Sequence, residues 1–190
     1  MQVNFLSLIL SLVFLLSGCS SYVSAICDGQ KSRILYSKRN YQQLLKTKNC
    51  QDCKLNGNQA NLSDLNLSEA NLSGTELAGA NLSGTNLTGA NLNRVNFADY
   101  DFGFSGTHTR CFANLRETDL RQATFYKARL SSVDLSSLDL READFEQANL
   151  SGANLSFANL SDVNLNSVSL ISADLSKANL IGVSLHKANL

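Results

Sequence analysis

Two pairs of residues in this chain have the spacing of metal ligands. Cys50 and Cys53 stand three apart, and so do His108 and Cys111. Three thiolates and one imidazole are a donor set for tetrahedral zinc. The same sulfurs offer a second chemistry. Cys27, Cys50, Cys53 and Cys111 form an even set that can pair as disulfides in an oxidising compartment. A Cys50–Cys53 bridge fits, and so do bridges from Cys27 or the 50/53 pair to Cys111. A nucleophilic pair of His108 and Cys111 has no third group to orient it. Asp134, Asp139 and Asp144 could pair as acid and base, but they recur as a surface ladder with no pocket around them. The sequence therefore names no catalytic residue and calls for no cofactor.

A fifth cysteine belongs to a different chemistry. Residues 5–16, FLSLILSLVFLL, are an apolar run too short to span a bilayer as a relaxed helix. They suit the hydrophobic region of a signal peptide, although Met1 to Asn4 hold no Lys or Arg. LSGC at 16–19 resembles a lipobox, with Cys19 as the lipid-bearing residue and a lipid anchor in the membrane. VSA at 23–25 fits ordinary cleavage after Ala25. Either way residues 1–25 act as a leader. The chain is expected to be exported, to a periplasm or thylakoid lumen.

The elements that must position the remaining residues come in two kinds. Residues 26–59 are a basic, cysteine-bearing segment. Within it, SKRNYQQLLKTKN predicts a short capping helix. Ser37 caps it, Tyr41, Leu44 and Leu45 form its apolar face, and Lys46 and Lys48 suit its C-terminal end. From Leu62 onward the chain repeats every five residues. Leu or Phe recurs through Phe97 and Phe102, then resumes at Leu115 and runs to Leu190. Ala usually stands two places before it and Asn or Asp one place before. Neither a helix nor a lone strand has that period. A repeated turn does, and strict self-similarity means a solenoid whose stacked units share one core. The apolar pair points inward, Asn or Asp points outward, and Ser and Gly form the corners.

Units such as ANLSG at 70–74 and 148–152 and ADFEQ at 143–147 resemble the pentapeptide-repeat family. The resemblance implies an all-β fold, a right-handed quadrilateral β-helix with one pentapeptide on each face of a square. The lead-in, with a helix before C-x-x-C, is similar to that of exported cyanobacterial members. Leu55 and Leu62 are seven apart rather than five, so the first coil is expected to be irregular. Repeats are thus expected over 60–102 and 113–190, with a register break at 103–112. On a rod, the two halves of the zinc set are about two coils apart, near 10 Å, which disfavours the metal reading.

These features favour an exported, non-catalytic scaffold or protein–protein interaction module with an unknown protein partner. Loops on rigid scaffolds carry function, so Phe104, His108, Arg110 and Phe112 are the candidate partner-binding residues. Some family members mimic DNA and bind topoisomerases. Residues 54–190 hold fourteen Asp or Glu against ten Lys or Arg, too little negative charge for that role. Neutral charge overall also argues against nucleic acid as a partner. HKANL at 186–190 continues the repeat with no capping helix, which leaves an unpaired edge suited to a homodimer.

Overall fold

The computed structural model describes residues 37–55, 60–98, 100–101 and 110–190. Helix α1 spans Lys38–Thr47. Ser37 caps it, its hydroxyl accepting from the Asn40 N–H, and Lys48 ends it in a left-handed conformation. Leu44 is fully buried and Tyr41 packs against the core. Leu45, expected on the same apolar face, is 47 % exposed. It follows Leu44 directly, and adjacent helical residues point about 100° apart, so one end-on contact cannot bury both.

Below α1 the chain winds as a four-sided coil. Asn61 pairs in parallel with Asn81, Asn66 with Asn86, and Asn71 with Asn91, each 20 residues on. One coil is therefore four pentapeptides. Each central N–H donates to the next coil, as from Leu72 to the Asn91 carbonyl at 2.9 Å and from Leu77 to the Asn96 carbonyl at 2.8 Å. The central side chains stack into four columns. Leu62, Leu82 and Leu115 belong to the first, and Leu67, Leu87 and Leu120 to the second. Leu72, Leu92 and Phe125 belong to the third, and Leu77, Phe97 and Leu130 to the fourth. All are essentially buried. Phe125 and Phe145 stack face to face in the third column, centroids 4.4 Å apart.

Corners set the repeat length. The second residue after each central one has positive φ, as at Gly74, Gly84 and Gly89. At Gly84 a Cβ would also meet the Asp64 carboxylate of the coil above, at 2.4 Å. Non-glycine residues take the same conformation along the whole rod, from Asp64 to Lys187. Outward Asn side chains brace the corners. Asn71 Oδ1 accepts from both the Ser73 N–H (3.2 Å) and its hydroxyl (2.8 Å), and Asn91 Nδ2 donates to Asn71 Oδ1 at 3.3 Å.

The first coil is irregular, as the spacing predicted. Asn49 pairs with Asn71 and Lys54 with Glu76, 22 residues on rather than 20. Cys50 and Cys53 take core positions there. Cys50 donates to the Asn71 carbonyl as a central leucine would, and Cys53 N–H reaches the Cys50 carbonyl across the corner.

Candidate interaction site

The second irregularity is the larger. Asn81 pairs with Asn114 and Asn96 with Arg129, each 33 residues on. Thirteen residues beyond one coil are thus looped out, and the solenoid closes around them. The pairing corrects the register read from the sequence. Leu82 N–H donates to the Asn114 carbonyl, so Leu115 follows Phe97 in the coil and the place expected for Phe102 belongs to Leu115. Asp101, the residue before Phe102, pairs elsewhere. Strands β1 (Tyr100–Asp101) and β2 (Arg110–Cys111) form an antiparallel hairpin, with Tyr100 opposite Cys111 and Asp101 opposite Arg110. A count of fives cannot tell a unit in the coil from one that mimics it in a hairpin.

The hairpin changes the coil at its root. Ala98 N–H donates to the Arg129 carbonyl at 3.1 Å, and Ala113 N–H returns to the Phe97 carbonyl at 3.3 Å. Phe112 is half-buried and packs against the core at the root of the excursion. Asn96 holds an outward position but is only 6 % exposed. Its Nδ2 donates to Glu76 Oε2 at 2.7 Å, while its Oδ1 is buried without a hydrogen-bond partner. No residue pattern signals this, because Asn96 stands in the repeat like every other ladder asparagine.

Of the other residues singled out, Arg110 and Cys111 contribute backbone to β2. Phe104, His108, Cys19, Cys27 and the 1–25 leader lie outside the described residues. Cys50 and Cys53 are bonded to each other, S–S 2.05 Å, and both are buried. This corrects the zinc reading, since two of its four ligands are spent as a disulfide inside the core. Among the described residues no group of three or more His, Cys, Asp or Glu side chains is placed to hold a metal, and no helix is long and apolar enough to cross a membrane.

Asp134, Asp139 and Asp144 sit one per face, as a ladder rather than a cluster. Asp139 is held by Arg141, with Nη2 to Oδ2 at 2.7 Å, and Asp119 by Arg121 at 2.6 Å. The arginine hydrogen bonds hold both carboxyls below the ordinary aspartate range. A carboxylate so held is a poor general base. Asp174 is lowered as well, by the Ser176 backbone N–H.

A filled core, four flat polar faces and one hairpin define a solenoid scaffold. The chain belongs to the pentapeptide repeat family, whose model matches residues 59–99, 111–137, 128–166 and 158–190. The matched stretches resume at 111, in agreement with the hairpin. The fold is accordingly a right-handed quadrilateral β-helix. Among solved structures it is similar to a pentapeptide repeat protein of the Arabidopsis thaliana thylakoid lumen, at 27 % identity over 54 % of this chain and 66 % of that one, TM-score 0.40. It is similar to HetL of the cyanobacterium Nostoc, a protein involved in heterocyst differentiation regulation, at 31 % identity over 70 % and 58 %, TM-score 0.28. A further Nostoc pentapeptide repeat protein matches at 23 % identity over 82 % and 99 %, TM-score 0.38. The chain thus spans under two thirds of the length of the first two. No curated protein matches it.

Proposed function

We propose that this protein is a non-catalytic interaction module of an exported compartment, a rod that holds the 100–112 excursion out to a protein partner. The supporting observation is the 33-residue pairing. The coil resumes its register around thirteen residues beyond the five-residue period, an excursion of the kind that carries function on a rigid scaffold. Export is supported by the apolar leader at 5–16 and by the buried Cys50–Cys53 disulfide. Family membership and a core filled by its own side chains support the absence of catalysis.

Deleting residues 100–112 tests the reading. It joins Asp99 to Ala113 and restores an uninterrupted five-residue period. The shortened rod should keep its circular dichroism and thermal midpoint while losing partners that cross-link to the full chain in its own compartment. An unchanged set of cross-linked partners would overturn the proposal. Mass spectrometry of the membrane fraction tests the address, since a diacylated Cys19 would establish the lipid anchor.

A further inference from the structure

Inter-coil hydrogen bonds run with one pattern along the rod. A central N–H donates to the coil below, as from Leu135 to the Asn154 carbonyl (2.8 Å) and from Leu140 to the Asn159 carbonyl (2.9 Å). The corner N–H does the same, as from Ser137 to the Ser156 carbonyl at 2.9 Å. One coil higher the pattern stops on the first face and along the second, and it resumes at the far corner of the second, where the Gln122 N–H donates to the Arg141 carbonyl at 3.1 Å. Among the described residues, no backbone hydrogen bond joins Leu115, Glu117 or Leu120 to the coil below, nor Asp134 or Asp139 to the coil above. The parallel pairings 114 to 134 and 119 to 139 are missing likewise, whereas 124 pairs with 144 and 129 with 149 on the other two faces. The coil at 114–120 remains bonded upward, through Leu82 and Leu87.

The side chains supply a cause. The inward flanking position holds Ala158 in the coil beneath but Leu138 here, and valine at that position keeps its pairing, as Val163 and Val168 do, so the leucine is the distinguishing residue. Thr118 sits above Leu138 and spends its hydroxyl on the Leu82 carbonyl at 3.0 Å, one coil further up. Added inward volume in a close-packed core has to move something. Like charge at Asp119 and Asp139 is the smaller influence, since each is paired with its own arginine in solvent.

We propose that the rod is jointed at this seam. The coils bearing 113–120 and 133–140 part on the first face and along the second, and stay bonded from the Gln122 corner through the third and fourth, so the two half-rods flex about the bonded side. The chain leaves the coil after Ala98 and re-enters it at Ala113, immediately before the seam, so flexing changes the angle between this root and the lower half. This inference does not depend on the partner proposed above.

Residue-resolved amide exchange on the full chain tests it. The amides of Leu115, Glu117, Leu120, Asp134 and Asp139 should exchange at least about tenfold faster than those of Leu135, Ser137, Leu140, Asn154 and Asn159, which are their equivalents one coil on. Equal protection in the two sets overturns the joint. Replacing Leu138 with Thr removes volume and offers the Leu115 carbonyl the hydroxyl bond that Thr118 gives Leu82. L138T should slow the five seam amides toward the others, and unchanged fast exchange would overturn the packing cause. The wild-type measurement decides the joint by itself if the variant folds poorly.

Discussion

Asn91 and Asn96 are neighbours in the repeat, with the same letter in the same position, and they behave differently. Asn91 Oδ1 accepts from the Asn93 N–H at 3.1 Å, and its Nδ2 reaches Asn71 one coil up. Asn96 makes one strong bond to Glu76 and leaves its carbonyl oxygen buried and unpaired. The hairpin accounts for the difference. The N–H that should serve Asn96 belongs to Ala98, and it turns to the Arg129 carbonyl as the chain leaves the coil. In the uninterrupted coil, outward amides such as Asn91 and Asn154 both brace a corner and reach the coil above, so the ladder is a structural element. At the hairpin root one such amide is sacrificed to let the chain out, which marks where fold and use diverge.

The contrast can be broken in order of size. Phe145→Ala, in the uninterrupted coil, removes a stacked ring from a filled column and should cost about 3–5 kcal/mol in urea unfolding. Removing residues 100–112 should cost far less, because the coil already closes around them; a loss as large as that of Phe145→Ala would mean the hairpin is part of the core. Next comes the first corner. Replacing Cys50 and Cys53 together by Ala opens a very short loop and should cost about 2 kcal/mol, with the fraying seen by exchange at α1.

The two asparagines give the sharpest comparison. Asn91→Ala strands donors and acceptors on both sides and should cost roughly 1 kcal/mol, whereas Asn96→Ala trades one bond for relief of a buried orphan oxygen. The second should be milder by about 1 kcal/mol, and equal losses would remove the distinction drawn here. The smallest effect is that of acid. Asp119 and Asp139 have lowered pKa values, so they stabilise the fold above the unfolded aspartate pKa and lose that contribution as pH falls through the folded values. Both pairs are solvent-exposed and screened. Arg121→Gln with Arg141→Gln should slightly flatten the acid limb of a thermal-midpoint profile, and a steeper limb would contradict the sign.

Much of this was legible in the residues. The period of five, the inward Leu and outward Asn, the corner glycines and the Ser37 cap all follow from local chemistry repeated many times. The seven-residue step from Leu55 to Leu62 announced the irregular first coil. Leu45 was misread because which side of a short helix faces a coil end depends on the docking angle. The period of five runs one unit past the coil, since Asp101 pairs with Arg110 and Leu115 follows Phe97 in the stack; Phe102 itself lies outside the described residues. Cys50 and Cys53 could have been ligands or a bridge, and their place on one inward corner makes them a bridge.

By itself the sequence determined the rod. A pentapeptide buries its leucine only by stacking on its copies, so repetition and burial call for a solenoid, and the resemblance to the pentapeptide-repeat family implied its four sides. Tertiary structure decided where the rod departs from itself: the thirteen-residue hairpin, the orphan oxygen of Asn96 and the unbonded seam below Leu115. These depend on which residues lie 20 or 33 positions apart. Contacts at that range are made by stacking, and no local pattern of five records them.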